Sequence, residues 1–148
     1  MSVQGRGRMI ESYRDLKAWQ KAMDLVENVY SFTARLPDDE RFGLAAQLRR
    51  AAVSIASNIA EGHARASTRE FSRYIAVARG SLAEVETQVL IVRRLKMTDQ
   101  GAAEALLSRC DEQGRVLRGL KKALDNKIST RERNGALGPL PSSLVPRQ

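Results

Sequence analysis

With 148 residues and 43% apolar content, the chain is long enough to bury one hydrophobic core, and its single cysteine excludes a framework of internal disulfides. It contains no run of about 18 apolar residues, which excludes a membrane span. The first ten residues lack the apolar core of a secretory signal. We therefore expect a soluble, cytoplasmic protein with no membrane association.

Positive charge dominates the chain, but it is not evenly distributed. The 25 Lys and Arg residues against 17 Asp and Glu residues give a net charge of +8, of which residues 13–127 carry about +5. We expect residues 1–11 to be a flexible basic tail and residues 12–128 to be the folded domain. Residues 129–148 are rich in Gly, Pro, Ser and Arg, so we expect them to be disordered.

The first predicted helix runs from about residue 13 to residue 36. Ser12 is a candidate N-cap with Asp15 three residues later, and Pro37 ends the helical pattern. Two apolar seams lie side by side along this helix. The first contains Leu16, Trp19, Met23, Val26, Tyr30 and Thr33, and the second contains Leu25, Val29, Phe32 and Leu36.

Three more predicted helices follow, over about residues 39–61, 67–96 and 99–128. Ser67 and Glu70 form a capping-box pattern at the start of the third helix, whose apolar heptads are the most regular in the chain. Cys110 lies in the apolar stripe of the fourth helix, so we expect a small core residue. Because the connections are short, the sequence predicts an all-α fold: an antiparallel, up-down-up-down four-helix bundle.

The second predicted helix, which includes "LRRAAVSIASNIAEG" at residues 48–62, is apolar on nearly every side. A helix of this kind should be covered on nearly every side, and a single bundle would leave its outer face wet. We therefore expect a second copy of the chain to cover that face in a closed homo-oligomer. The predicted interface residues are Ala45, Val53, Ala56 and Ala60, with Leu25 and Val29 of the first helix.

A polar stripe follows one edge of this second helix. Its residues recur at spacings of 3, 4, 4 and 3, and they are Gln47, Arg50, Ser54, Asn58 and Glu61. Folding of the third helix against the second should bring Arg50 opposite residues 79–84, with Ser81, Glu84 and Glu86 as partners. Gly80, in mid-helix, suggests a close backbone approach there. We interpret the stripe as a buried structural network; the alternative is a binding or catalytic pocket.

Motifs for catalysis or metal binding are weak. His63 is the only histidine, which argues against a metal site and leaves Ser54 and Ser57 without a base. The several glutamates lack the Glu-x-x-His spacing of di-iron bundles. We expect no catalytic residue, no metal site and no cofactor, and hence a protein that is not an enzyme.

Arginine outnumbers lysine by 19 to 6, which suits bidentate contacts with phosphate or carboxylate. Two groups of basic residues are candidates for binding nucleic acid. One surrounds the second turn and the other lies along the fourth helix: Arg65, Arg69 and Arg73, then Arg115, Arg118 and Lys122. The alternative is that these side chains pair with nearby acids such as Glu70, Asp111 and Asp125.

Three segments resemble a known family: "YRDLKAWQKAMDLV", "LPDDERFGLAAQLRRAAVSIASNIAEG" and "EFSRYIAVARGSLAEVETQV". Across residues 12–96 the chain is similar to the small bundle proteins first noticed as products of intervening sequences in 23S ribosomal RNA genes. The resemblance implies a four-helix bundle and a homopentameric ring. It also implies kinship with accessory proteins of diversity-generating retroelements, which contact a reverse transcriptase and RNA, and it implies no established activity.

Two functions remain open at this point. In the first, the protein associates with RNA or DNA through phosphate contacts, with little sequence specificity. In the second, it is a protein-interaction scaffold whose ring docks a partner protein such as a reverse transcriptase, and its charge only confers solubility.

Overall fold

Residues 12–136 are described by a computed structural model, the side chain of Ala136 excepted, and they form four α-helices with no strand. The helices are α1 (Lys17–Thr33), α2 (Leu44–Ala64), α3 (Thr68–Arg94) and α4 (Gln100–Ala136). Two short 3-10 turns, Tyr13–Asp15 and Asp38–Glu40, precede α1 and α2. The predicted all-α four-helix bundle is confirmed. No helix among these residues is long and apolar enough to cross a membrane.

Three predicted boundaries were wrong. The first helix begins at Lys17 rather than near residue 13, because residues 13–15 form a separate 3-10 turn and Leu16 is extended. The second helix begins at Leu44 rather than near residue 39, because residues 38–40 form a 3-10 turn and the Glu40 carboxylate accepts a hydrogen bond from the Leu44 amide at 3.2 Å. The fourth helix continues to Ala136, so residues 129–136 are not disordered. The predictions for residues 1–11 and 137–148 lie outside the described part of the chain.

The C-terminal extension of α4 is held against the start of α3. Arg69 of α3 pairs with Glu132 of α4 at 2.7 Å, and the Arg131 guanidinium donates to the Thr68 hydroxyl at 3.1 Å. No proline interrupts residues 129–136, so nothing in the local sequence stops the helix. The composition of residues 129–148 predicted disorder over too long a range, because the prolines of this segment begin only at residue 139.

The helices pack in a cycle: α1 contacts α2 and α4, and α3 contacts the same two helices. Their inner faces form one core, and the third helix buries the predicted heptad seam from Ile75 to Val92. Ser67 caps α3 as predicted, its hydroxyl accepting a hydrogen bond from the Glu70 amide at 3.3 Å. Cys110 is buried in this core.

The second predicted seam of the first helix faces the core, and its residues Leu25, Val29, Phe32 and Leu36 are all buried. Met23 and Tyr30 of the first predicted seam are 41% and 45% exposed. Leu25 and Val29, predicted at the oligomer interface, are only 2% and 0% exposed, because they belong to the chain's own core. Ala18 and Ala22 extend their face towards the start of the helix at spacings of four and three residues, and both are buried.

The predicted interface on α2 is also partly wrong. Ala45 and Ala56 are buried within the chain, because their small side chains allow neighbouring helices to pack closely over them. Val53 is exposed and Ala60 is half-buried, so these two remain available to a second copy. The outer face of α2 is therefore narrower than the sequence indicated.

A close approach of α2 and α3 lies at Gly62 rather than at Gly80. A Cβ atom on Gly62 would lie 2.5 Å from the Cβ of Tyr74 and 3.2 Å from the Phe71 ring. A Cβ on Gly80 would meet no atom within 4 Å. The predicted close backbone approach at Gly80 is therefore absent within the described chain.

We expect Gly62→Ala to lower the free energy of unfolding by about 1–3 kcal/mol, because the added methyl overpacks the α2–α3 contact. Gly119→Ala is the matched control. Gly119 is exposed in mid-helix and a Cβ atom there would meet nothing within 4 Å, so its replacement should add up to about 1 kcal/mol of stability. Urea denaturation measures both changes. Equal effects of the two substitutions would contradict the assigned contact.

Candidate nucleic-acid interface and polar network

The centre of the polar stripe on α2 is a hydroxyl pair between α2 and α3. The Oγ atoms of Ser54 and Ser81 lie 2.8 Å apart. The Asn58 side-chain amide donates to the Ser54 carbonyl at 2.8 Å and to its hydroxyl at 3.0 Å. The structure thus joins three of the residues predicted for the network.

Further contacts continue the stripe in both directions. Towards the start of α2, the Gln88 amide donates to Gln47 Oε1 at 3.4 Å. Towards the end, Glu61 Oε1 accepts hydrogen bonds from the Tyr74 hydroxyl and the Arg65 guanidinium, each at 3.2 Å. Gln88 and Tyr74 were missed by sequence reasoning, because their participation depends on the register between two helices.

The predicted burial of the stripe is wrong for a single chain. Ser54, Asn58 and Ser81 are half-buried, while Gln47, Arg50, Glu61 and Glu84 are exposed. Arg50 and Glu84 line a shared concavity of about 440 Å³, yet neither makes a hydrogen bond or ion pair with another residue of the range 12–136. Arg50 therefore lies opposite Glu84 as predicted, but its guanidinium is not part of the bonded network.

Glu86 belongs to a different surface from the one predicted, because it faces α4. Burial raises the pKa of its carboxyl group, the nearby charge of Asp111 raises it further, and Arg118 opposes both effects. The same environment acts on Cys110. Burial raises the pKa of its thiol to about 12, and the negative charges of Glu86 and Asp111 contribute to the rise. Cys110 is therefore protonated and unreactive at neutral pH.

We expect Glu86→Gln to stabilise the protein at neutral pH. Since the pKa of Glu86 is raised in the folded state, its ionisation opposes folding above that raised value. The stability gained by the variant should shrink as pH falls through the folded pKa, and vanish below the ordinary glutamate value. Thermal melting of both proteins from pH 3 to pH 8 measures this difference, and a gain that grows on acidification would contradict it.

Gln113 is a buried polar residue that sequence reasoning missed. It lies within the apolar stripe of α4, and its amide donates to the Ala18 carbonyl of α1 at 3.0 Å. The spacing of three and four residues from Cys110 to Gln113 to Leu117 was the available signal. Gln113 therefore links α1 and α4 through a backbone acceptor that no side-chain pattern reveals.

The first basic group surrounds the turn between α2 and α3, and each of its arginines has a carboxylate partner. Arg65 pairs with Glu61 and Arg73 pairs with Glu70, both at 3.2 Å, while Arg69 pairs with Glu132 at 2.7 Å. The guanidinium groups of Arg65 and Arg73 also lie 5.4 and 5.7 Å from the centre of the Tyr74 ring. Pairing with acids, the predicted alternative, thus accounts for these three residues in the free chain.

The second basic group is less neutralised. Arg115, Arg118 and Lys122 are exposed on α4 and form no ion pair with the described residues. Asp125, predicted as an acid partner for this group, instead accepts hydrogen bonds from Lys121 at 2.7 Å and from the Ser72 hydroxyl. These two bonds lower the pKa of Asp125.

The two ends of the bundle differ in charge. Contacts between Thr68 or Arg69 and α4 place the α2–α3 turn beside the end of α4. At this end, residues 61–73 and 121–133 hold eight Lys and Arg side chains against four carboxylates. Residues 35–41 and 93–104, at the opposite end, hold five of each sign. These described residues therefore carry excess positive charge at the first of the two ends, which we call the basic end.

The structure gives no sign of a reactive or metal-binding site at the single histidine of the sequence within the described residues. His63 contacts the Phe71 ring edge to face, with ring centres 5.5 Å apart. No group of three or more His, Cys, Asp or Glu side chains within residues 12–136 is arranged to hold a metal ion.

These features define a small four-helix bundle with a polar α2–α3 contact and a basic end. The chain belongs to the 23S rRNA-intervening sequence protein family, whose model matches residues 14–119. The resemblance noted in the sequence is thereby confirmed, and the match extends into the fourth helix.

The fold is also similar to a crystal structure of a protein of unknown function from the S23 ribosomal protein family of Bacteroides thetaiotaomicron. The two chains are 19% identical and superpose with a TM-score of 0.64, over 71% of this chain and 98% of the other. No curated protein sequence matches at a significant level.

Proposed function

We propose that this protein is a non-enzymatic, homo-oligomeric bundle that associates with RNA or DNA through phosphate contacts, with little sequence preference. The observation that carries the proposal is the charge asymmetry, eight basic side chains against four carboxylates at the basic end. Phosphate contacts supply most of the non-specific affinity of proteins for nucleic acids.

The side chains of the basic end suit a phosphate backbone better than base edges. Lys122 and Lys127 are exposed and form no ion pair within the described chain, so they can approach phosphates without losing a partner. Arg65 and Arg73 can exchange an exposed carboxylate for phosphate at little cost, since exposed ion pairs are weak. Tyr74 is the only aromatic side chain in contact with this arginine group among residues 12–136, which argues against a stacking platform for bases.

Assembly into a closed oligomer would strengthen this field. The up-down-up-down arrangement is supported by contacts such as Ser54 with Ser81 between α2 and α3, and Arg69 with Glu132 between α3 and α4. It leaves Val53 of α2 and Val77 of α3 exposed for a second copy. The number five comes from the family resemblance alone; a pentamer would multiply the charge of about +5 on residues 13–127 to about +25.

A protein-interaction scaffold is the second candidate. The exposed apolar residues towards the end of α3, Leu90, Ile91 and Leu95, favour it, because they could contact a partner protein. They lie away from the basic end, so the two functions make different predictions for charge reversal there.

We expect the Lys122→Glu, Lys127→Glu double variant to bind a labelled ~30-nucleotide RNA at least tenfold more weakly than the unchanged protein at 50 mM salt. The matched control is Arg93→Glu, Arg94→Glu, which alters the charge equally at the opposite end and should change the affinity much less. Binding by the unchanged protein should itself fall about tenfold or more between 50 and 200 mM salt. Fluorescence anisotropy measures the RNA affinity of the two double variants and of the unchanged protein, and thermal melting establishes that each variant folds.

Equal weakening by both double variants would contradict a binding site at the basic end. Absence of any complex at 10 µM oligomer would overturn the nucleic-acid proposal and leave the scaffold.

A further inference from the structure

Phe42 stands out on the connection between α1 and α2. Its side chain is 86% exposed, more than any other large apolar side chain in residues 12–136. The guanidinium of Arg41 lies 5.4 Å from its ring centre. Asp38 and Asp39, on the same connection, are also exposed. The loop thus presents one aromatic ring, with a guanidinium against it, on a connection that also carries two exposed carboxylates.

The outward position of Phe42 follows from how the loop is built. The Glu40 carboxylate folds back onto the start of α2 and accepts the hydrogen bond from the Leu44 amide. A Cβ atom on Gly43 would lie 2.8 Å from the same carboxylate, so glycine leaves the space that this cap needs. The loop is closed on its inner side by this cap, and Phe42 is left in solvent.

A groove of complementary character lies between α1 and α4. It has a volume of about 260 Å³, and buried Phe32 and Leu106 lie at its base. Arg35 and Arg109 line it, and neither guanidinium forms an ion pair with a residue of the range 12–136. No carboxylate lines the groove, and the nearby Glu112 pairs with Lys21 instead. The groove therefore offers an apolar surface beside two exposed cations, of which Arg109 also attracts the Glu112 carboxylate.

We propose that the loop of residues 38–42 from one copy of the chain docks in the α1–α4 groove of a second copy. The inference rests on the proposed homo-oligomer and names the surfaces that hold it together. Phe42 contacts the apolar base of the groove, and Asp39 lies against Arg35 and Arg109. The two surfaces are complementary in net charge: residues 38–42 contain three carboxylates and one arginine, whereas the groove is lined by two arginines and no carboxylate.

The occupant is a second copy rather than the chain's own loop, because Phe42 is exposed in the folded chain. Loop and groove are different surfaces, so the contact is heterologous: each copy offers one loop and one groove. Such contacts repeat head to tail and close into a ring when the rotation between copies allows it. An exposed aromatic anchor that fills an apolar recess is the kind of residue on which interface affinity commonly depends.

Two variants test the contact. The loop variant, Asp39→Ala with Phe42→Ala, retains a normal groove; the groove variant, Arg35→Glu with Arg109→Glu, retains a normal loop. For each variant by itself, we expect the dissociation constant of the contact between copies to rise at least tenfold. Each variant should then be monomeric at 10 µM by native mass spectrometry. An equimolar mixture should form a one-to-one heterodimer, because it contains one intact loop and one intact groove.

The controls are Leu95→Ala and Arg94→Glu, which remove an exposed apolar side chain and reverse an exposed cation elsewhere, and both should keep the oligomer mass. Circular dichroism establishes that every variant retains its helices. The contact is refuted if the loop variant keeps the unchanged mass, or if the two monomeric variants fail to associate when mixed. A monomeric unchanged protein would overturn the oligomer and the contact together, whereas the RNA titration tests the nucleic-acid proposal by a separate readout.

Discussion

The close contact of α2 with α3 at Gly62 is the constraint on which the other arrangements depend. Because the α2 backbone lies against Tyr74, the two helices leave the turn with almost no space between them. That proximity lets the Ser54 and Ser81 hydroxyls meet about two turns before Gly62 in α2. It also places the Tyr74 hydroxyl within reach of Glu61 and Arg65. The polar contacts between α2 and α3 thus depend on a close approach of the two helices that Gly62 permits.

Helix number and type were predictable because the signals lie within short segments. Ser67 with Glu70 marks the start of α3, and its regular heptads mark the buried face. The second apolar seam of the first helix was predictable, but its extension through Ala18 and Ala22 was not, since Met23 and Tyr30 of the other seam are larger. Large apolar residues are informative about burial only when space exists for them, and close helix packing favours the alanines. The end of α4 depends on contacts with α3 that are remote in sequence.

The contacts at the candidate sites are likewise of two kinds: those predictable from spacing within one helix, and those that depend on how two helices pack. Ion pairs within one helix, such as Arg73 with Glu70, could be expected from their spacing of three residues. The pair of Arg69 with Glu132 spans 63 residues and requires the register of α3 against α4. Glu86 was assigned to the wrong neighbour for this reason: its position in the sequence fixes its face on α3, but not which helix that face meets.

The buried state of Cys110 gives the protein an internal reporter. A thiol that is inaccessible and has a pKa of about 12 reacts with a disulfide reagent only after the α3–α4 contact opens. When reclosing is faster than the reaction, the labelling rate gives the equilibrium fraction of opened molecules. Because the chain has one cysteine, labelling reports this position alone. The unmodified protein can therefore be followed through local unfolding, with no probe introduced by mutation.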